Sequence, residues 1–147
     1  MQTLTSKEQF GKTALLRSIL VRNKKTFFFL LEKVFCKFFT LAEILAQCDE
    51  DGENFIFCLA RWGSVEMQKF AFKKLKTELT EEDFKKALKV KIDHNVLHNT
   101  CCNNKKSVKF LLNEIEKNLG KEELQKMLKE VDKDGKTPYD CALQNRI

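Results

Sequence analysis

Two stretches of the chain carry the same apolar spacing. After Gly120, the residues Leu124, Met127, Leu128 and Val131 fall at i, i+3, i+4 and i+7, with Lys121, Glu122, Lys126, Lys129 and Glu130 around them. Upstream, Val108, Leu111, Leu112 and Ile115 repeat that spacing. An apolar residue every three or four positions forms one face of an α-helix, so both stretches predict amphipathic helices. A third apolar stretch, TFFFLLEKVFCKFFTLAEIL from Thr26 to Leu45, is interrupted by Glu32, Lys33 and Lys37. A membrane span needs about 20 residues with few or no charges, so this stretch reads as buried helix.

The helical pattern recurs. Gly11, Gly52 and Gly135 each stand two residues before Thr13, Asn54 and Thr137, and Asp93, two before Asn95, fills the gap in the series; the separations are 41, 41 and 42. Phe29-Leu30-Leu31, Phe70-Ala71-Phe72 and Phe110-Leu111-Leu112 lie 41 and 40 apart, and RNKKTFFFLLEKV matches NNKKSVKFLLNEI without a gap. Thr40, Thr80 and Gly120 each precede an acid by three residues, namely Glu43, Asp83 and Glu123. These read as helix N-caps, the two threonines of capping-box type.

Three landmarks sharing one period predict an all-α helical repeat solenoid of about three and a half units in a single domain, 1–147. The units run over about 8–48, 49–89, 90–131 and a partial 132–147. Each has a turn, a short first helix, a second helix at the Phe-Leu-Leu position and a third helix after the cap. No unit can bury its apolar stripe alone, so stacking on neighbours has to do it. One proline and five glycines also leave little punctuation for an all-β fold.

The turn and first helix of each unit resemble the ankyrin repeat, whose pattern is Asp-x-x-Gly-x-Thr-Pro-Leu-His-x-Ala-Ala-x-x-Gly. DEDGENFIFCLARWG carries Asp49, Gly52, Ala60 and Gly63 in that register, with Asn54, Phe55, Ile56 and Phe57 in place of Thr, Pro, Leu and His. DHNVLHNTCCNN keeps Leu97 and His98 but has Asp93 for the glycine, Cys101 for the second alanine and Asn104 for the later glycine. DKDGKTPYDCAL keeps Asp132, Gly135, Thr137, Pro138 and Ala142, while EQFGKTALLRSILVRN keeps little more than Gly11, Thr13 and Leu15. The departure is length, since ankyrin units usually take 33 residues and these carry an extra helical segment of about eight. Armadillo and HEAT repeats, with periods of about 40 to 47, are the competing solenoids, but they do not account for Asp-Gly-Lys-Thr-Pro. The last stretch, DGKTPYDCALQNRI, opens a helix with little room to form. The expectation is a segment of a longer array, with a minimal terminal cap as the alternative.

Composition narrows the function classes. At 147 residues, 43% hydrophobic and 33% charged, the chain suits one compact domain and not a disordered one. The net charge of +6 comes from 27 basic and 21 acidic residues with the signs mixed, which favours a soluble surface over a nucleic-acid footprint. MQTLTSKEQFGK has neither the apolar core of a secretory signal nor the arginine bias of a transit peptide. The cytosol is expected, with the nucleus second because no basic targeting cluster stands out. Cysteines 36, 48, 58, 101, 102 and 141 lack the dense spacing of a disulfide framework and read as reduced, small apolar residues.

Candidate chemistry is sparse. His94, His98, Cys101 and Cys102 offer zinc-type ligands, but His94 falls in the turn before the helix, Cys101 replaces a packed alanine of the family pattern, and no distant ligand pair completes a spacing. Neither a Gly-rich phosphate loop nor a Ser/His/Asp grouping is present, and His98 with Cys101 or Cys102 is the nearest approach to a nucleophile pair. Glu81-Glu82-Asp83 and Glu122-Glu123 begin helices, where the helix dipole favours them. The chain therefore reads as non-catalytic, with no cofactor, metal or small-molecule substrate.

Glycine at 52 and 135 fits a turn with positive φ. The ankyrin resemblance implies that His98 ties its ring to neighbouring turns. It also implies that a protein partner is held by positions flanking the turn glycine and by the end of the first helix. Those positions are Glu50, Asp51, Glu53, Arg61 and Trp62 in the second unit, Lys91, His94, Cys102 and Asn103 in the third, and Lys133, Asp134 and Lys136 in the fourth. Trp62, the single tryptophan, stands beside Arg61, and both types dominate interface hot spots; packing against the next unit is the equal alternative. The expected function is an adaptor for a protein partner, without membrane association. The alternative is nucleic-acid binding, which needs Lys24-Lys25, Lys73-Lys74, Lys85-Lys86 and Lys105-Lys106 to converge and entails a steep salt dependence.

Overall fold

The computed structural model describes residues 17–35 and 54–144, and no strand occurs among them. Residues 17–20 are helical and precede α1 (Lys24–Phe29), which widens into a π-helical turn over Leu30–Phe35. The second unit supplies α2 (Phe55–Trp62), α3 (Val65–Glu78) and α4 (Glu81–Lys89). The third supplies α5 (Val96–Thr100), α6 (Lys105–Leu119) and α7 (Lys121–Lys129), and α8 (Pro138–Gln144) follows. Residues 54–89 and 90–131 each contain a short, a long and a short helix in that order.

Side-chain caps set where these helices start. Asn23, Ser64 and Asn104 accept hydrogen bonds from the N–H groups of Thr26, Met67 and Ser107, which opens α1, α3 and α6 at the same point of each unit. Asn54 does the same for α2 through Phe57 N–H. Thr80 caps α4 through Asp83 N–H, whereas Gly120 opens α7 without a side-chain bond. Reciprocal capping boxes form at two other starts: Asn95 with His98, and Thr137 with Asp140, whose side chains each accept from the other's backbone N–H at 3.2 and 3.0 Å. Between α2 and α3 the chain reverses at Gly63, where an added Cβ would lie 2.7 Å from Leu59 O. Only glycine allows that approach.

The helices pack in two rows. Helix α2 lies against α5 and α5 against α8, while α1 lies against α3 and α3 against α6. Helix α4 covers α3 and α6, and α7 covers α6 and α8. The core between them contains Phe27, Leu31, Ile56, Phe57, Leu59, Met67, Phe72, Leu75, Leu88, Leu97, Leu111 and Ile115.

Two apolar patterns bury less than the spacing predicts. Leu124 and Met127 are buried, whereas Leu128, inside α7, is 36% exposed, and Val131 is exposed because α7 ends at Lys129. In the phenylalanine run Phe27 is buried while Phe29 is 59% exposed, since consecutive residues of a helix turn by about 100° and cannot all face inward. The rest of that stretch, together with Gly11, Thr13, Thr40 and Gly52, lies outside the described residues. No helix among the described residues is long and apolar enough to cross a membrane.

Candidate functional site

The turn before α8 is built by one carboxylate. Asp132 Oδ1 accepts the N–H groups of Asp134 and Lys136, both at 2.9 Å, while Asp132 N–H donates to Lys136 O at 2.8 Å. Gly135 N–H closes the turn onto Asp132 O at 3.0 Å, and Gly135 takes φ +76°, which a side chain would strain. The bond from Lys136 N–H is the largest influence on the Asp132 carboxyl and holds it below its ordinary range. The preceding turn needs no glycine: Asp93 takes that place outside the positive-φ region, and Ile92 N–H bonds His94 O at 3.1 Å. The Asp93 carboxylate meets His94 Nδ1, and that bond is the main reason its carboxyl stays below the ordinary range.

Helices α2 and α5 each touch the turn that follows through their third residue. His98 Nδ1 accepts from Asn95 N–H at 3.0 Å, so Nε2 is the nitrogen that donates to Lys136 O at 3.0 Å. Phe57, one unit earlier, holds the corresponding place with a ring edge against His94 at 5.4 Å between centroids. The chemistry of the contact changes while its position is kept.

A set of buried amides crosses between the units. Asn99 Nδ2 donates to Phe57 O at 3.0 Å, and Arg61 donates to Asn99 Oδ1 at 3.3 Å. Asn103 Nδ2 donates to Ala60 O and Gly63 O at 3.0 and 2.8 Å. Arg22 completes the series by donating to Trp62 O at 3.0 Å and Asn103 Oδ1 at 2.9 Å. Asn95 Nδ2 fixes the start of α5 to the end of α7 through Met127 O and Glu130 Oε1, both at 2.9 Å.

Where the two turns face the ends of α2 and α5, a groove of about 350 Å³ opens. Arg61, Asp93, His94, His98, Cys102, Asp132, Lys133, Asp134 and Cys141 line it. Five of the residues singled out in the sequence, Arg61, His94, Cys102, Lys133 and Asp134, come together there. The others do not. Trp62 is 46% exposed but outside the lining, Lys91 pairs with Glu130 at 3.8 Å, and the Asn103 amide is committed to Ala60 and Gly63. Lys136 serves the turn through its backbone, and Glu50, Asp51 and Glu53 lie outside the described residues.

Asp93, Asp132, His98 and Cys141 complete the lining without having been expected at a binding surface. Asp132 and His98 carry a signal only as scaffold positions of the repeat pattern. Cys141 carries none.

The groove offers hydrogen-bonding and charged groups, with thiols in and beside its wall. Burial, followed by the neighbouring Cys141 and Cys102, pushes the Cys101 thiol up to about 11, so it stays protonated at neutral pH. Burial also raises Cys141, with Asp132 adding to the effect. Cys102 Sγ lies 3.6 Å from His98 O. Both His98 ring nitrogens are engaged, and among the described residues no group of three His, Cys, Asp or Glu is placed to hold a metal ion.

The lysine pairs are dispersed over α1, α3, α4 and α6. Lys24 pairs with Glu66 and Lys74 with Glu32 between helices, while Lys85 and Lys86 pair with Glu81 and Glu82 along α4. No family model, no curated protein and no solved structure matches the chain.

Proposed function

We propose that the chain is an ankyrin-like helical repeat solenoid acting as a non-catalytic protein-binding module, with the partner held where the turns face the ends of the first helices. The observation that carries this reading is the gathering of Arg61, His94, Cys102, Lys133 and Asp134 around one groove. Those positions come from the turn tips and the first-helix ends of three successive units. A stack of units offers such positions as a continuous surface, which suits an extended protein segment. Two further observations support the repeat reading: first helices pack on first helices and second on second, and Gly135 has the positive φ that the ankyrin turn needs.

Within the groove the partner meets both signs of charge, with Arg61 and Lys133 opposing Asp134 and Asp93. Trp62, exposed beside Arg61, adds an aromatic anchor at its margin. A photocrosslinking residue at position 62 or 133 is expected to trap the same protein partner in cells, whereas one at position 126 on α7 is not. Equal trapping from all three positions sinks the reading.

A further inference from the structure

A second groove lies on the other row of helices. Val65 and Lys69, at i and i+4 on α3, face Lys106, Lys109, Phe110 and Asn113, at i, i+3, i+4 and i+7 on α6, and together they line a hollow of about 300 Å³. The two walls are held together beneath it by the Phe72–Phe110 ring contact, 5.5 Å between centroids. Lys69, Lys106 and Lys109 are exposed, no carboxylate is in the lining, and none of the three forms an ion pair among the described residues. Glu66, beside Val65, pairs with Lys24 at 3.7 Å and also feels the charge of Lys106. The three cations around this hollow outnumber the Glu66 carboxylate beside them, so they repel one another, and a bound anion relieves that repulsion.

The floor narrows the choice of anion. Val65 and Phe110 are half-buried and give an apolar slot between the lysines. The Phe110 ring is half-buried and packs on Phe72, whereas binding of a nucleic-acid strand relies on aromatic faces open to stacking. A nucleic-acid strand also needs a basic track, whereas Glu66 and Glu114 flank the lysines along α3 and α6. Separate lysine ammonium groups suit single carboxylates on a flexible chain.

We propose that this groove docks a short acidic protein segment, which places one aliphatic side chain between Val65 and Phe110 and its flanking carboxylates on Lys69, Lys106 and Lys109. The site shares no residue with the groove at the turns. The two surfaces lie on different rows of helices, so a chain occupied at both links two proteins.

The test uses the full chain and a fluorescein-labelled peptide of Asp and Glu with one central leucine, read by fluorescence polarisation. Lys106→Glu with Lys109→Glu is expected to weaken binding about tenfold or more, and Lys69→Glu on the opposite wall to weaken it in the same direction. The double change Lys126→Glu and Lys129→Glu on α7 alters net charge equally and is expected to have a much smaller effect. Replacing the central leucine of the peptide by serine is expected to weaken binding severalfold. Three results overturn the proposal: equal loss from the α7 double variant, no loss from the serine peptide, or oligothymidylate binding more tightly than the peptide through Lys106 and Lys109.

Discussion

The two rows of helices are joined by different chemistry. Along α1, α3 and α6 the contacts are phenylalanine rings: Phe28 on Phe70 at 4.6 Å and Phe72 on Phe110 at 5.5 Å, with Phe84 of α4 closing on Phe72 at 5.7 Å. Along α2, α5 and α8 they include directed hydrogen bonds, from Asn99 to Phe57 O, Asn103 to Ala60 O and His98 to Lys136 O. Apolar packing has no direction and scales with area, so it supplies attraction without specifying which residue meets which. A buried amide has a small net worth when satisfied and a large cost when not, so it fixes the pairing. Both rows bury apolar side chains, including Phe55, Ile56, Leu59 and Leu97 on the amide row, but that row adds the directed bonds that set the register between its helices.

The largest effect is expected on the ring row. Phe72 is 1% exposed and touches rings on both α4 and α6, so Phe72→Ala is expected to lose about 3–5 kcal/mol of unfolding free energy. Phe29, 59% exposed, shares the Phe-Leu-Leu register but not the burial, and Phe29→Ala is expected to stay within about 0.5 kcal/mol. Urea midpoints of the two variants measure the difference. Similar losses from both would mean that buried rings do not join this row.

On the amide row the expected losses are smaller but selective. Asn99 is fully buried, so Asn99→Ala removes the bond across to the Phe57 carbonyl and an acceptor of Arg61, at about 1–3 kcal/mol. Asn118 makes its amide bond within its own helix, to Glu114 O, and Asn118→Ala is expected to cost much less. Hydrogen exchange then distinguishes the roles. Asn99→Ala should accelerate exchange in both α2 and α5, whereas Asn118→Ala should act within α6 alone. Faster exchange confined to α5 in the Asn99 variant would count against a register-setting amide.

This difference also explains what could be read from the sequence. The start of α4 was legible because Thr80 acts on an N–H group three residues away; Asn54, Ser64, Asn95 and Asn104 act equally locally but were not read as caps. The partners of Asn95, Asn99 and Asn103 stand 32 to 43 residues away, so nothing beside them in the chain separates a buried cross-link from a solvated polar residue. Hydrophobic spacing overstated burial at Val131 because it carries no information about where α7 stops, and at Leu128 because it does not say how far the buried face of α7 extends. At the groove, His94, Lys133 and Asp134 were named because the ankyrin resemblance singles out positions flanking the turns, and Arg61 and Cys102 because it singles out the ends of first helices. Cys141 was not, because its place in the lining depends on how α8 packs against α5.

Acid titration probes the last junction of the amide row, where His98 reaches the turn built by Asp132. The Asp132 carboxyl lies below its ordinary value of 3.8 in the folded chain, owing first to Lys136 N–H and then, among the favourable bonds, to Asp134 N–H. A depressed folded value means that the stabilisation is present above the unfolded value and is lost as pH falls through the folded one. Asp132→Asn is therefore expected to lower the urea midpoint at pH 7, and its gap from the parent chain should narrow as pH falls from about 4 toward the folded value. A gap that widens on acidification would contradict a carboxylate-built turn.

The smallest expected effect returns to the ring row, where Lys76 of α3 reaches Glu114 of α6 at 2.6 Å. The bond is short, yet the Lys76 side chain remains 32% exposed, and water weakens the attraction while both side chains lose rotamer freedom. A double-mutant cycle with Lys76→Met and Glu114→Gln is expected to give a coupling of about 0.5–1 kcal/mol that shrinks in high salt. Lys76 also lies 5.7 Å from the centre of the Phe84 ring, so the single lysine change should cost more than the coupling alone. A coupling as large as the Phe72→Ala loss would make α3 and α6 a charge-locked pair. A coupling near zero at low salt would leave the rings as the main attraction between them.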